Sequence, residues 1–369
     1  MWRQVLALIV KELLAVLRDA KSRSVLIVPP LIQLMVFGYA ATYDLDHVPI
    51  AIYNEDASQA SRDLVAHFLG SPTFQLVATL HSSQEIDALI DSRTIALALV
   101  IDPRFTRNLL TGQPAPVQAI LDGRNSNSAL LIEGYANTII SDFSTAWAAA
   151  HGGPNPPAVL DIRARYNPTL SSRWFFVPSI VALLTQIVTL LVVALSVARE
   201  RETGTFDQLL VTPLRPIDIL LGKGLPGVLI GMVEASVIIA AAVWWFEAPL
   251  RGGLPALYFG LLLFVVAVTG MGLMISSLAA TQQQALLGVF LFMVPSIILS
   301  GFATPIANMP GWVQDLTLIN PMRYILVVVR GVFLEGATFS SLISQYWPMA
   351  LIGAASLAAA GWLFRSRVT

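Results

Sequence analysis

The chain has 369 residues, of which 56% are hydrophobic and only 12% charged. A soluble domain carries about 25% charged residues, so a soluble globular protein and a disordered one are both excluded, and the class is a polytopic membrane protein. The net charge of −1, from 22 basic and 23 acidic residues, gives no basic surface for nucleic acid, and the lack of cysteine excludes disulfide frameworks, thiolate zinc sites and thiol nucleophiles.

Residues 1–23 read as an amphipathic helix lying along the cytoplasmic interface. Leu6, Ile9, Leu13 and Val16 form one face, and Gln4, Lys11 and Arg18 another. The plainer alternative is a basic anchor that only sets orientation. Residues 24–41 form the first apolar span, read as an uncleaved signal anchor because the run exceeds a normal signal-peptide core.

Residues 42–173 then form a polar, extracytoplasmic α/β domain. Strands are predicted at Val48–Tyr53, Phe74–Leu80, Thr94–Ile101 and Val117–Leu121, with a polar stretch from Ser58. Ser82 and Glu85 make a capping box that opens a helix. Strands alternating with helices imply βαβ units and a sheet covered on both faces. A long helix over 126–150 carries the stripe Ala129, Ile132, Ala136, Ile139, Phe143 and Trp147, whose partner is either this sheet or a second subunit. After the Gly/Pro-rich run from Gly152, alternation of Leu160, Ile162, Ala164 and Tyr166 with charged residues predicts an edge strand. His47, His67, His81 and His151 match no metal-ligand spacing.

The remainder, 174–369, is a five-span bundle: Trp174–Ala198, Gly224–Phe246, Leu254–Ala279, Ala285–Ala303 and Tyr346–Phe364. Each reaches or approaches the roughly 20 residues a bilayer requires. Eleven basic residues flank the side holding both termini and three the other, which places the termini in the cytoplasm. Between the second and third spans, Gly204 can end one helix. Thr205 and Gln208 then open a short one over about 202–211, with Phe206, Leu209 and Leu210 on its apolar side. Such a knuckle suits a soluble partner that moves both spans; a helix resting on headgroups is the alternative. No phosphate-binding loop occurs, so any ATP is hydrolysed by another chain. Pro305, Pro310 and Pro321 break the segment at about 304–335, which reads as a re-entrant helical hairpin capping a pathway, with Met309, Trp312, Asn320 and Arg323 on it. Arg323 and Arg330 share a helical face, suited to headgroups or an exit. Within the spans, Gln186 serves packing or substrate contact, Glu234 requires a partner or a proton, and Pro295 predicts a kink.

The run Arg199-Glu200-Arg201-Glu202-Thr203-Gly204-Thr205, then Gln208-Leu209-Leu210, Thr212-Pro213-Leu214 and Gly222-Lys223, resembles the permease subunits of ABC-2 type transporters, in their bacterial drug-efflux branch with a type V exporter-like fold. So do Lys11-Glu12-Leu13-Leu14, Leu299-Ser300-Gly301-Phe302 and Asn308-Met309-Pro310 with Trp312, Asn320-Pro321 and Arg330-Gly331. The resemblance implies that Glu202 to Leu210 (Glu202, Thr203, Gly204, Thr205, Phe206, Gln208, Leu209, Leu210) dock onto an ATP-binding subunit, present in two copies. It implies a second permease chain, identical or paralogous, and in this branch often a periplasmic adaptor protein. It also implies a bacterial inner membrane location, and ATP and Mg²⁺ bound by the partner rather than by this chain. An envelope sensor or scaffold built on the extracytoplasmic domain is a competing reading, as is an ion-coupled transporter using Glu234.

Overall fold

The structure, a computed structural model, describes residues 2–18, 20–40, 45, 47–124, 126–151, 172–204 and 215–368. The chain divides into two compact units, Met1–Thr42 with Ala164–Thr369, and Tyr43–Arg163. The first unit opens with α1 (Trp2–Arg18) and α2 (Ala20–Ala40).

The second unit follows with β1 (Val48–Asn54), α3 (Gln59–Leu69), β2 (Phe74–Thr79), α4 (Gln84–Asp91), β3 (Leu97–Ile101), α5 (Phe105–Leu110), β4 (Val117–Leu121) and α6 (Ser126–Ala150). The sheet order is β2-β1-β3-β4. β1 runs parallel to both neighbours, and β4 closes the edge antiparallel, with Leu97 opposite Leu121. Ile50, Ile52, Leu97 and Leu99 are buried on one face under Leu64 and Phe68 of α3 and Phe105 of α5. Ala51 and Ala98 are buried on the other face with Ile86 of α4. With both faces covered, the central strands are apolar throughout rather than alternating. The stripe on α6 packs on this sheet: Ile132, Ala136 and Phe143 are buried in its core, with Ile139 and Trp147 against it.

One unassigned stretch takes form, and one local expectation is corrected. The polar stretch from Ser58 is a helix: Ser58 accepts the Ser61 N–H at its start, and Ala60, Leu64 and Phe68 recur every four residues on the buried side. The expected Ser82–Glu85 capping box does not form. The Ser82 hydroxyl accepts from the Gln84 N–H instead, Ser83 occupies the cap position, and α4 starts later. The expected strand from Leu160 lies outside the described residues.

At the end of β1, Asp56 holds α5 beside the start of α3. Its carboxylate accepts from the Thr106 N–H at 2.8 Å and the Ser58 hydroxyl at 3.0 Å. Burial pushes its carboxyl up, but the bonds from Thr106 and Ser58 outweigh it and hold it below the ordinary value. A depressed folded value contributes stability above the unfolded carboxyl pKa of about 3.9, lost as pH falls through the folded one. Asp56→Asn should therefore cost about 1–3 kcal/mol at neutral pH, read as faster amide exchange at the starts of α3 and α5. The gap from wild type should close in acid.

The chain returns to the first unit with α7 (Ser172–Glu202), α8 (Pro216–Trp244), α9 (Leu254–Leu278), α10 (Gln282–Ile298), α11 (Gly311–Leu316), α12 (Pro321–Arg330) and α13 (Ile343–Val368). Among the described residues, Arg173–Glu202, Ile217–Trp244, Leu254–Leu278 and Ile343–Ser366 are long and apolar enough to cross a membrane. Ile27–Tyr39 of α2 and α10 are apolar but shorter. α7 and α9 form the centre, with most of their apolar residues buried. α9 meets α13 closely at Gly270, where a Cβ would lie 2.1 Å from the Ser356 hydroxyl oxygen. Small residues at such crossings let helices approach without a solvent-driven hydrophobic force.

Candidate functional site

The last turn of α7 grips four other helices through three consecutive residues. Successive helical positions point about 100° apart, so each side chain reaches a different neighbour. The Arg201 guanidinium donates to the carbonyls of Ser277 and Ala279 at 2.8 and 3.1 Å, at the C-terminal end of α9. The Glu202 carboxylate accepts from the Gln282 backbone N–H at 3.0 Å and its amide at 3.1 Å, at the N-terminus of α10. These are helix ends with unsatisfied carbonyl and N–H groups, which a cation and an anion respectively complete. Glu200 turns the third way, to Lys11 of α1 at 2.9 Å and Lys223 of α8 at 2.7 Å.

Lys223 is the centre of this cluster. Its side chain is 1% exposed, and its ammonium donates to Glu12 of α1 at 2.7 Å. The second oxygen of Glu12 accepts from the Ser196 hydroxyl at 3.0 Å. Two ammonium groups thus face two carboxylates, and the buried charge cancels. Burial alone would lower the Lys11 pKa; the hydrogen bond and charge of Glu200 override it and raise it. Beside Lys223, a Cβ on Gly222 would fall 2.2 Å from Leu8 Cδ2, so α1 lies directly on the α8 backbone there. The adjacent Gly222 and Lys223 do two jobs: one lets α1 approach, and the other ties it down.

The buried face of α1 is consequently Val5, Leu8 and Glu12, with Ile9, Leu13 and Val16 half-buried. The expected stripe is thus rotated: Leu6 is exposed, along with Val10, Leu14 and Leu17. The helix carries apolar residues on two sides, one against the bundle and one left open.

Of the other residues singled out in the sequence, Gly204 ends α7 with φ +73°, and the Thr203 hydroxyl donates back to the Arg199 carbonyl at 2.9 Å. Thr205, Phe206, Gln208, Leu209 and Leu210 lie outside the described residues. Gln186 is buried and donates to the Ser296 hydroxyl at 3.0 Å, which donates on to Asn320 at 2.9 Å. Asn320 caps α12 by accepting the Met322 N–H, and Pro321 occupies the first helical position. Gln186 therefore links α7 to α10 and, through Ser296, to the cap of α12. α10 runs through Pro295 and ends at Ile298. Pro305 and Pro310 each precede a short helical turn, the Met309 carbonyl accepts from Gln314, and Trp312 is exposed. The chain bends by 84° at Asn320.

Arg323 donates to Thr317 and to the Gln314 carbonyl inside this bend. Arg330, read as suited to headgroups or an exit, donates to the Ser179 hydroxyl of α7 at 2.8 Å and stacks on the Phe175 ring at 3.8 Å. It staples α12 to α7, because the bend turns that face of α12 inward. Glu234 lies apart, on the wall of an apolar cavity between α1, α2, α7 and α8.

The chain is a bundle of long apolar helices with a charged junction at one end, and it belongs to the ABC-2 transporter family of membrane permeases. The model of that family, described as "ABC-2 family transporter protein", matches residues 24–362. The chain is 40% identical to "Probable multidrug ABC transporter permease YbhR" of Escherichia coli strain K12, over 100% of both chains. It is 34% identical to "Probable multidrug ABC transporter permease YbhS" of the same organism, over 91% of this chain and 89% of that one. It is 21% identical to "Linearmycin resistance permease protein LnrN" of Bacillus subtilis, over 92% and 94%.

Proposed function

We propose that this chain is the permease half of an ATP-driven exporter that moves hydrophobic or amphipathic molecules outward. A separate ATP-binding subunit, in two copies, drives it, and a second permease chain completes the pathway. The relatives named for multidrug transport and for linearmycin resistance support this substrate class. In this reading the unit Tyr43–Arg163 is extracytoplasmic and a site for an adaptor protein. Both termini are cytoplasmic, the membrane is the bacterial inner membrane, and six helices span it. The bent segment around Asn320 is re-entrant at the outer side.

The observation that carries the reading is the junction of Glu200, Arg201, Glu202 and Lys223. Residues 203–215 link α7 to α8, and the roots of that link are bonded to α1, α9 and α10. A push on the link is therefore delivered to five helices together rather than absorbed by one flexible end. ATP and Mg²⁺ belong to the partner, and this chain contributes the lever and the conduit.

The test is co-reconstitution of the chain with an ATP-binding subunit encoded beside it. A stable complex, with ATP turnover raised by an amphipathic compound, is the expected result. Compound efflux that survives without any nucleotide-hydrolysing subunit and follows a proton gradient would replace this reading with an ion-coupled one.

A further inference from the structure

Glu234 sits near the middle of α8, and neither of its carboxylate oxygens has a hydrogen-bond partner, although both are shut off from solvent. It lines a cavity of about 580 Å³ whose other walls are almost wholly apolar: Leu13 of α1, Pro30 and Leu34 of α2, Val188 of α7, and Val233 and Ile238 of α8. Among the described residues the only other ionisable group on the lining is Arg23, on the α2 end of the wall nearest α1. Arg23 is exposed and eleven residues before Leu34, about 16 Å along a helix. It therefore marks a mouth rather than a partner in the interior.

A lone carboxylate in an apolar, water-poor setting is costly unless it meets a cation or takes a proton. Among the described residues no donor from the surrounding helices reaches it, whereas the Gln186 amide finds an acceptor in Ser296. The cavity instead offers volume within the range of small-molecule sites, about 300–1,000 Å³. Its walls also select the kind of cation. A metal ion must replace its water shell with several oxygens, and this lining offers one carboxylate. A bulky organic monocation carries a weakly hydrated charge and loses little on entering, while its apolar groups gain from the aliphatic walls.

We propose that this cavity is a binding site for hydrophobic organic monocations, with Glu234 as its counter-ion. The proposal rests on the exporter reading and narrows its substrate class. Binding is an exchange: the neutral carboxyl releases its proton to solvent as the cation arrives, leaving carboxylate and cation paired and the cavity neutral throughout. The same exchange gives a release step, since a proton returning to Glu234 displaces the cation.

The test uses the purified full-length chain in lipid nanodiscs with tetraphenylphosphonium as probe, followed by titration calorimetry in two buffers of different ionisation heat. One saturable site per chain is expected, with one proton released per cation bound. Glu234→Gln should weaken binding at least tenfold and abolish the proton release. Val233→Trp, which fills the cavity from its exposed edge without changing charge, should weaken it as well. The shape-matched anion tetraphenylborate should not saturate the site. Unchanged affinity in either variant, binding without proton release, or equal saturable binding of the anion would overturn the proposal. Cation binding lost while amphipath-stimulated ATP turnover persists would remove this site and leave the exporter reading standing. Intact binding in a chain that engages no ATPase would do the reverse.

Discussion

Replacing Lys223 by Met should lower the thermal midpoint of the purified chain further than any other single substitution at the junction. The ammonium is buried between Glu12 and Glu200, each at 2.7 Å. Methionine fills the same volume but leaves two buried carboxylates facing each other, one still paired with Lys11. Removing one member of a buried ion pair costs about 3–5 kcal/mol, because the partner is left charged and desolvated. Removing both partners together is far milder. Lys223→Met combined with Glu12→Leu should thus recover part of the loss, and the double-mutant cycle should be strongly non-additive. An unchanged midpoint in the single variant would mean that the junction does not hold α1 to α7 and α8.

The second large effect concerns coupling rather than stability. Phe206→Asp should cut amphipath-stimulated ATP turnover to near the level of the ATP-binding subunit alone, with membrane insertion and thermal stability intact. The sequence places Phe206 on the apolar side of the short helix between α7 and α8. An unpaired charge buried in a docking surface costs about 2–5 kcal/mol of association, which weakens the contact at least tenfold. Lys223→Met and Phe206→Asp separate two failures: the first loosens the lever's root, the second its grip on the motor.

Local features were legible in the sequence, and junctions were not. The strands at Val48, Phe74 and Val117 begin where the apolar runs begin, because turn residues bound them. The helix of 126–150 is likewise carried by its own periodicity. The helix after Ser58 escaped because its buried residues, Ala60, Ser61, Leu64 and Phe68, are few and set among polar ones. The charged junction was invisible for a different reason. Glu200 and Lys223 lie at the ends of apolar spans, and Glu12 on the interfacial helix before the first span, where basic and acidic residues ordinarily do no more than set orientation. Lys223 and Glu12 are 211 positions apart, so no spacing rule connects them. The family-like runs around Glu200 and Gly222 pointed to the right residues, yet only packing reveals that Glu202 faces α10 and that Gly222 makes room for Leu8. Glu234 was conspicuous as a charge within a span, but the cavity beside it is a property of four helices.

The central claim, that a nucleotide-hydrolysing partner works this chain through the link between α7 and α8, is best tested by site-specific cross-linking. The chain contains no cysteine, so Phe206→Cys introduces a single thiol, and Leu130→Cys, at an exposed position on α6, serves as control. A cross-link from position 206 to the co-expressed ATP-binding subunit, absent at position 130 and changed in yield by ATP, is the result this account requires. Equal labelling at both positions, or none at 206 in a complex that still exports, would contradict it.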